Sequence, residues 1–429
     1  MMKLYFHRIT LLCGLTVVSS LHAFSLPPSN FFKPYDVNYR LEPWPKGVGK
    51  MRHVQLGGTY EQGSTRDCRN FDTNRGRLLS IFHPTESAIA ALKGSEPGSD
   101  AANLLLDLHN PTDDGVRGHF LGRARYQEWQ ASVYARYNFH ITGFVGYFDF
   151  SFYVPFLERE FKRVAWADQT RQTTGSDLLV KDMLTKDIAT LLQELGGLDI
   201  GNWSNRGMGD PVFMLGWQHD FLQHRRVLDN VRLALRVGLS LPFASQRDED
   251  KALSMPLGND GAYAVPMTLG MDVFMRWHLK AGIEFELLKL FDTTRTRRLK
   301  TSQDQTDFFL LHKGRARKKY GTTWKFNIYI GAHHMLRGLS AKIIYRYIRH
   351  DEDRLFAKTS EFNNDIINTA ATIQDWQVQD FVFQLSYDFF KDAPKFFIKP
   401  QLSAFYKLPV AGRRSIDPHT FGAQLAFNF

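Results

Sequence analysis

Val231–Phe243 reads VRLALRVGLSLPF. Val231, Leu233, Leu235, Val237, Leu239 and Leu241 alternate with Arg232, Ala234, Arg236, Gly238 and Ser240. Side chains of an extended strand point alternately to its two faces. One face here is therefore wholly apolar, and the other carries two guanidinium groups. The stretch is about twice the usual strand length, which suits a strand crossing a bilayer at a tilt.

The same rhythm extends both ways along the chain. Gln127–His140 (QEWQASVYARYNFH) sets Trp129, Ala131, Val133, Ala135, Tyr137 and Phe139 against Glu128, Gln130, Ser132, Tyr134, Arg136 and Asn138. Gly143–Phe156 sets Phe144, Phe148, Phe150, Phe152 and Val154 against Tyr147, Asp149, Ser151 and Tyr153. Comparable segments lie near 51–61, 207–220, 263–276, 279–291, 320–332, 338–350, 375–390, 395–408 and 418–429. Together they predict about twelve strands. The stretch 116–126 (VRGHFLGRARY) leaves room for a further strand or hairpin, and so for fourteen. The last segment, FGAQLAFNF (Phe421–Phe429), still alternates at its final residue.

Connections between these segments alternate in length. Short ones lie at His140–Thr142, Gln223–Asn230, Trp277–His278, His333–Gly338 and Asp392–Pro394. Long ones lie at about 62–124, 157–206, 244–262, 292–319, 351–374 and 409–417. Counted back from the C-terminus, every long connection falls on one side. Transmembrane barrels show this asymmetry, with short periplasmic turns and long outer loops. It requires an even number of strands and puts both ends of the barrel on the short-turn side. Aromatic residues gather near strand ends, at Phe152–Phe156, Tyr345–Tyr347, Phe389–Phe390 and Phe396–Phe397, as at a bilayer interface.

The polar faces carry many charges. Basic positions are Arg136, Arg232, Arg236, Arg276, Lys280, Lys325, Lys342, Arg346, Lys399 and Lys407. Acidic ones are Glu128, Asp149, Asp272, Glu284, Glu286, Asp380 and Asp388. A small soluble barrel has no room for so many charges inside. The expected fold is all-β, a closed antiparallel transmembrane barrel of about 12 strands, 14 being possible, with helical segments in its outer loops. In lipid a sheet must close on itself, because unpaired backbone groups find no water there.

The start of the chain gives an address. Met1–Arg8 carries Lys3 and Arg8, Ile9–Val18 (ITLLCGLTVV) is apolar, and Ala23 ends a small-residue stretch. This pattern predicts a signal peptide over 1–23. The apolar run is too short to span about 30 Å of hydrocarbon. Cys13 lies inside that run after Leu12, which argues against lipidation. Residues 24–50, rich in Pro and aromatics, read as an extended leader or lumen plug, and 51–429 as the barrel. Cleavage leaves Cys68 alone, so neither an internal disulfide nor a cysteine zinc site is expected. The formal charge of the whole chain is +10, and +8 without Lys3 and Arg8. An exported basic protein points to anionic lipid headgroups or solutes rather than to nucleic acid. At 43% hydrophobic and 23% charged residues the chain folds, and its mean hydropathy of −0.31 reflects interleaving rather than long apolar runs.

The loops carry helical signals. Ser176 and Asp177 offer caps before Leu178–Leu195, and Gly196-Gly197 offers a stop. Pro84–Gly94 and Ser99–His109 predict two shorter helices.

The terminal strand, apolar at alternate positions and ending on Phe429, resembles the C-terminal signature of Gram-negative outer-membrane β-barrels. The resemblance implies residence in the outer membrane, and that Phe429 helps the barrel-assembly machinery recognise the chain. A second, shorter resemblance lies at Gly207-Met-Gly-Asp210, the following PVFMLGWQHDF, and Leu239–Phe243 with Pro242. It is similar to the layout of the fatty-acid and aromatic-hydrocarbon channel barrels. Glycine and aspartate at a strand entry, and proline at a strand end, also explain those residues.

The functional expectation is passage of a small solute through a polar lumen lined by Arg136, Arg232, Arg236, Lys342, Arg346, Lys399, Lys407, Glu284 and Glu286. Ten basic against seven acidic positions predict a mild anion preference. Glu284 and Glu286 share a face, where they form either a cation site or a salt-bridged network with Lys280 and Lys325. The basic run Arg295–Lys319 reads either as a solvated loop or as a contact for lipopolysaccharide or an anionic solute. Two alternatives come from other classes: a structural or adhesive barrel with a plugged lumen, and an enzyme at the outer rim. His140, Asp149 and Ser151 are the residue types of a serine hydrolase, but their strand levels separate them. His333 and His334 are adjacent in an extended segment, so they point apart and make a poor metal pair. No cofactor and no metal are expected.

Overall fold

A computed structural model describes residues 53–429 apart from 110, 112, 113, 224, 337 and 390–397. The signal peptide, the leader, the Asp392–Pro394 turn and the aromatics Phe390, Phe396 and Phe397 lie outside the described residues.

Twelve long strands form the wall: β1 (His53–Thr65), β2 (His119–Phe139), β3 (Tyr147–Asp168), β4 (Val212–Leu222), β5 (Leu228–Ser240), β6 (Ala264–Met275), β7 (Leu279–Leu290), β8 (Thr322–Leu336), β9 (Leu339–His350), β10 (Trp376–Asp388), β11 (Lys399–Arg413) and β12 (His419–Asn428). Each pairs antiparallel with its neighbours in chain order. The last strand closes on the first, from Gln55↔Asn428 to Ser64↔His419. Phe429 N donates to Val54 O at 2.9 Å. The wall has twelve strands, not fourteen. The segment 116–126 holds no extra hairpin; most of it is the outer end of β2, which runs 21 residues.

The wall turns its apolar side outward. Leu235, Val237, Leu269, Ile283, Ile328, Ile330, Ile343, Leu385 and Leu425, spread over seven strands, are each 41–57% exposed. Soluble proteins rarely expose a continuous apolar surface beyond a few hundred Å². Around a closed sheet, such a belt is made for hydrocarbon. No helix among the described residues is long and apolar enough to cross a membrane; the strands do so.

The long connections are L1 (66–118), L2 (169–211), L3 (241–263), L4 (291–321) and L5 (351–375), with L6 reduced to 414–418. The expected long link at 409–417 is shorter, because β11 continues to Arg413. L1 carries α1 (Ala88–Leu92) and α2 (Asp100–Asp107), capped by Ser87 and Ser99. In L2 the single expected helix is two. α3 (Gly175–Val180) begins in a capping box between Thr174 and Asp177. A π-helical segment, Lys181–Thr185, separates it from α4 (Ile188–Gly196), which ends on Gly197 in the left-handed conformation.

L1, L2, L3 and L4 share one hydrophobic core, and a second joins L4 to L5. Leu79, Phe82, Ile89, Leu92, Leu184, Leu192, Trp203, Leu253, Phe308 and Phe309 are buried together with Phe120, Tyr126 and Phe161 of the wall. In a ring of twelve strands, L1 above β1–β2 stands opposite L4 above β7–β8. Yet they touch closely. Lys93 Nζ is 2.7 Å from Asp304, Thr301 Oγ1 donates to Lys93 O at 2.8 Å, and Phe308 N donates to Glu86 Oε2 at 3.1 Å. The ring of Phe309 lies 5.0 Å from Trp166 and 5.9 Å from Phe120. L4 therefore crosses the outer mouth and lodges against the far wall.

Candidate functional site

The lumen face is where alternation places the polar residues, and the structure shows how they are held. Arg136 and Arg236 converge on Asp149 at 3.3 and 3.2 Å. Arg232 Nε donates to Asp220 at 2.8 Å. Lys280 is 3.0 Å from Asp272, Lys325 is 2.5 Å from Glu286, Arg346 is 2.5 Å from Asp380, and Lys407 is 2.6 Å from Glu61. Burying a charge is unfavourable unless a partner and hydrogen bonds compensate, and each of these cations has one. Glu286 belongs to a salt-bridged pair, with Lys325. Lys280 binds Asp272 and lies over the rings of Phe274 and Tyr329. Glu284 is buried on the same face. Lys399 is half-buried at the start of β11.

Three placements differ from the sequence reading. Arg276 sits in the turn after β6, more than half exposed, beside Asp229. Glu61 and Asp220 are lumen partners that the count of acidic positions missed. Both follow the parity of their strands: Glu61 is the last residue of the segment read at 51–61, and Asp220 the last of the segment read at 207–220.

The lumen also contains an apolar layer that strict alternation does not predict. Tyr329, Ile344, Val382 and Phe405 are buried together across β8–β11. The doublet Ile343-Ile344 was the available signal, because one of two adjacent apolar residues on a strand must face inward. On the periplasmic side of this layer is a cavity of about 70 Å³. Lys280, Tyr329, His333, Ser340, Lys342, Gln384 and Asp388 are among its lining residues.

The other candidates separate. Ser151 donates to Asp149 at 3.0 Å, whereas His140 sits in a turn against Gly146 O. The hydrolase types therefore do not meet. Among the described residues no three His, Cys, Asp or Glu side chains converge into a metal cage. Asp210 accepts from Ala244 N at 2.9 Å and Asn259 N at 2.5 Å, so it fastens L3 to the root of β4. It follows a short strand, Trp203–Met208, that pairs beside β3, so Gly207 and Met208 end that strand, Gly209 and Asp210 link it toward β4, and the motif does not open β4. The basic run divides in two. Arg295, Arg297 and Lys318 surround Asp260, and Arg298 donates to the carbonyls of Gly196 and Gly197 at the end of α4. Lys313, Arg315, Arg317 and Lys319 alternate on the exposed side of the same hairpin.

No known family model matches the chain, and no curated protein matches it. Solved structures do. An outer membrane channel from Pseudomonas putida F1 is 11% identical over 88% of this chain and 95% of that one, with a TM-score of 0.50. The fold is that of an outer-membrane β-barrel. This barrel has its place in the outer membrane of a Gram-negative-type envelope. A Pseudomonas aeruginosa FadL homologue (10% identical, 88% and 89% covered, TM-score 0.28) and the P. putida toluene transporter TodX (9%, 88% and 89%, TM-score 0.31) also match. At those scores they add nothing to the assignment.

Proposed function

We propose that this outer-membrane barrel is a channel, not an enzyme, and that it passes a small solute by passive or facilitated diffusion. The observation that carries the reading is the closed ring with a charged inner face. Such a face is useless against hydrocarbon and suits water and polar solutes. Arg136, Arg232, Arg236, Lys342, Arg346, Lys399, Lys407, Glu284 and Glu286 line the path. The lumen prefers anions mildly, with Lys342 as the main contributor, since Glu61 and Asp220 offset part of the basic excess. Planar-bilayer recording tests both parts. A stepwise conductance is expected, with a reversal potential in a KCl gradient shifted modestly toward chloride. Clear cation selectivity overturns the preference, and a folded barrel without current overturns the channel.

The second reading, a surface barrel with a plugged lumen, is favoured by the loop core across the mouth. It predicts the currentless outcome. Two partners belong to either reading. Lys313, Arg315, Arg317 and Lys319 form an exposed row suited to lipopolysaccharide phosphates. Phe429, at the rim of the closing strand, serves the barrel-assembly machinery. Deleting Phe429 should cut the assembled fraction in cells several-fold while leaving refolding into detergent nearly unchanged. Equal losses in both assays would show that Phe429 matters only for stability.

A further inference from the structure

Seven of the lumen cations described above share a rule that Lys342 breaks. Arg136, Arg232, Arg236, Lys280, Lys325, Arg346 and Lys407 each have a carboxylate within 4.0 Å. Among the described residues Lys342 has no ion-pair partner and donates no hydrogen bond; its ammonium lies 5.5 Å from the ring of Tyr329. The cause is local. Its cross-strand neighbours are Gly331 on β8 and Gln384 on β10, and neither supplies a negative charge. Gly331 cannot be replaced by a larger partner, because a Cβ there would lie 2.6 Å from Ala341 O. The strand pairing therefore holds an ammonium without a direct ion pair in the lumen wall; Asp272 and Glu284 act on it only from beyond ion-pair distance.

The surroundings favour a small ligand. Lys342 lines the cavity of about 70 Å³. The apolar layer that includes Tyr329 and Ile344 bounds the cavity toward the outside. The other lysine in the lining, Lys280, is paired with Asp272. His333, in the same wall, has a buried Nδ1 with no hydrogen-bond partner among the described residues. Asp388 stands on another wall and accepts from Gln401 at 3.3 Å. An ammonium without a direct ion pair and an imidazole with an idle nitrogen, both among the residues that line one small cavity, match an oxyanion, which accepts hydrogen bonds and pairs with the ammonium at contact distance.

We propose that the periplasmic end of the lumen is a binding site for a small oxyanion, a carboxylate or phosphate group, with Lys342 as its principal contact. Its use in transport rests on the channel reading; binding itself does not. The test uses the purified full-length barrel in detergent, titrated calorimetrically with acetate and with inorganic phosphate. The same protein in planar bilayers supplies an independent readout of conductance. Saturable millimolar or tighter binding of at least one anion is expected. Lys342→Met should weaken it at least tenfold, Lys342→Arg should restore most of it, and Lys186→Met, at an exposed position in L2, should leave it unchanged. The preferred anion identifies which oxyanion the site takes. No saturable binding to the unsubstituted barrel, or equal binding by Lys342→Met, overturns the proposal. Current without anion binding removes the site and leaves the channel. Anion binding without current supports the site and removes the channel.

Discussion

β2 and β3 run through two regions with opposite polarity, and the change takes only a few residues. Below the change, the inward positions of β2 are Glu128, Gln130, Ser132, Arg136 and Asn138, all buried, while Val133 is exposed outside. Above it, the inward positions are Phe120, Ala124 and Tyr126, also buried, while Arg123 is exposed. Trp129 marks the crossing and donates from Nε1 to Glu158 on β3 at 2.8 Å. The strand geometry is the same throughout; the surroundings are not. Lipid around the lower part draws apolar side chains outward, and water around the upper part drives them in. One sheet thus serves as a membrane wall below and as one side of an ordinary hydrophobic core above.

If that inversion defines the two regions, damage to one should spare the other. The largest effect is expected at the lumen pair Lys407–Glu61, whose side chains are both fully buried. Lys407→Met leaves a buried carboxylate alone and should destabilise the barrel by about 3–5 kcal/mol. Adding Glu61→Gln should recover most of it, as urea unfolding in detergent would show. No recovery would mean that Lys407 acts through packing. Next, Phe309→Ala opens a cavity in the loop core worth about 3–5 kcal/mol locally. The loops should become protease-sensitive while the barrel keeps its heat-modifiable gel mobility. Loss of both would make the two regions one cooperative unit. Ile328→Arg, in the middle of the lipid-facing belt, should cost about 2–4 kcal/mol in bilayers. It should leave protease protection of the loops intact in whatever fraction folds.

The smallest effect sharpens the comparison through pH. Burial opposes charge on His83, but the Asp307 carboxylate 2.6 Å away outweighs it and raises the pKa of His83. Burial pushes the Glu86 carboxyl up to about 7. Both groups bind protons more tightly in the folded loops than in the unfolded chain. Their contribution is complete below the unfolded pKa values and is lost as pH rises through the folded ones. Burial also opposes ionisation of Asp307, but His83 and Lys300 overcome it and hold that carboxyl well below the usual range. Asp307 therefore favours the loops down to strongly acidic pH. Protection of the Glu86 and Phe308 amides from hydrogen exchange, corrected for the intrinsic pH dependence of the exchange rate, should be greater at pH 5 than at pH 8, and the difference should shrink in His83→Gln. An equal difference in His83→Gln would assign the effect to Glu86.

The inversion also explains what the sequence could and could not tell. The lower strands were legible because one rule, apolar outward, holds from Val54 to Phe427. The stretch 116–126 was not, because the rule reverses there and its alternation looks like a separate element. The partners of Arg236 and Arg346 could be guessed from parity, since Asp149 and Asp380 share their face. Lys342 looked like any other lumen cation. Its lack of a direct ion pair depends on register, which places Gly331 and Gln384 beside it. The basic run was also ambiguous in sequence, because nothing local says that Lys318 turns toward Asp260 while Lys319 turns to solvent.

The crossing of L4 over the mouth sets an order of events. Lys93 and Asp304 belong to loops on opposite sides of the ring, so they cannot meet until the sheet has curled enough to bring those sides together. The seam between Val54 and Phe429 joins the two ends of the same curl. Protection of Phe308 and Phe309 is then a late event in the birth of the protein. A chain caught half-closed would show its loops bare, and the moment they become covered dates the sealing of the wall.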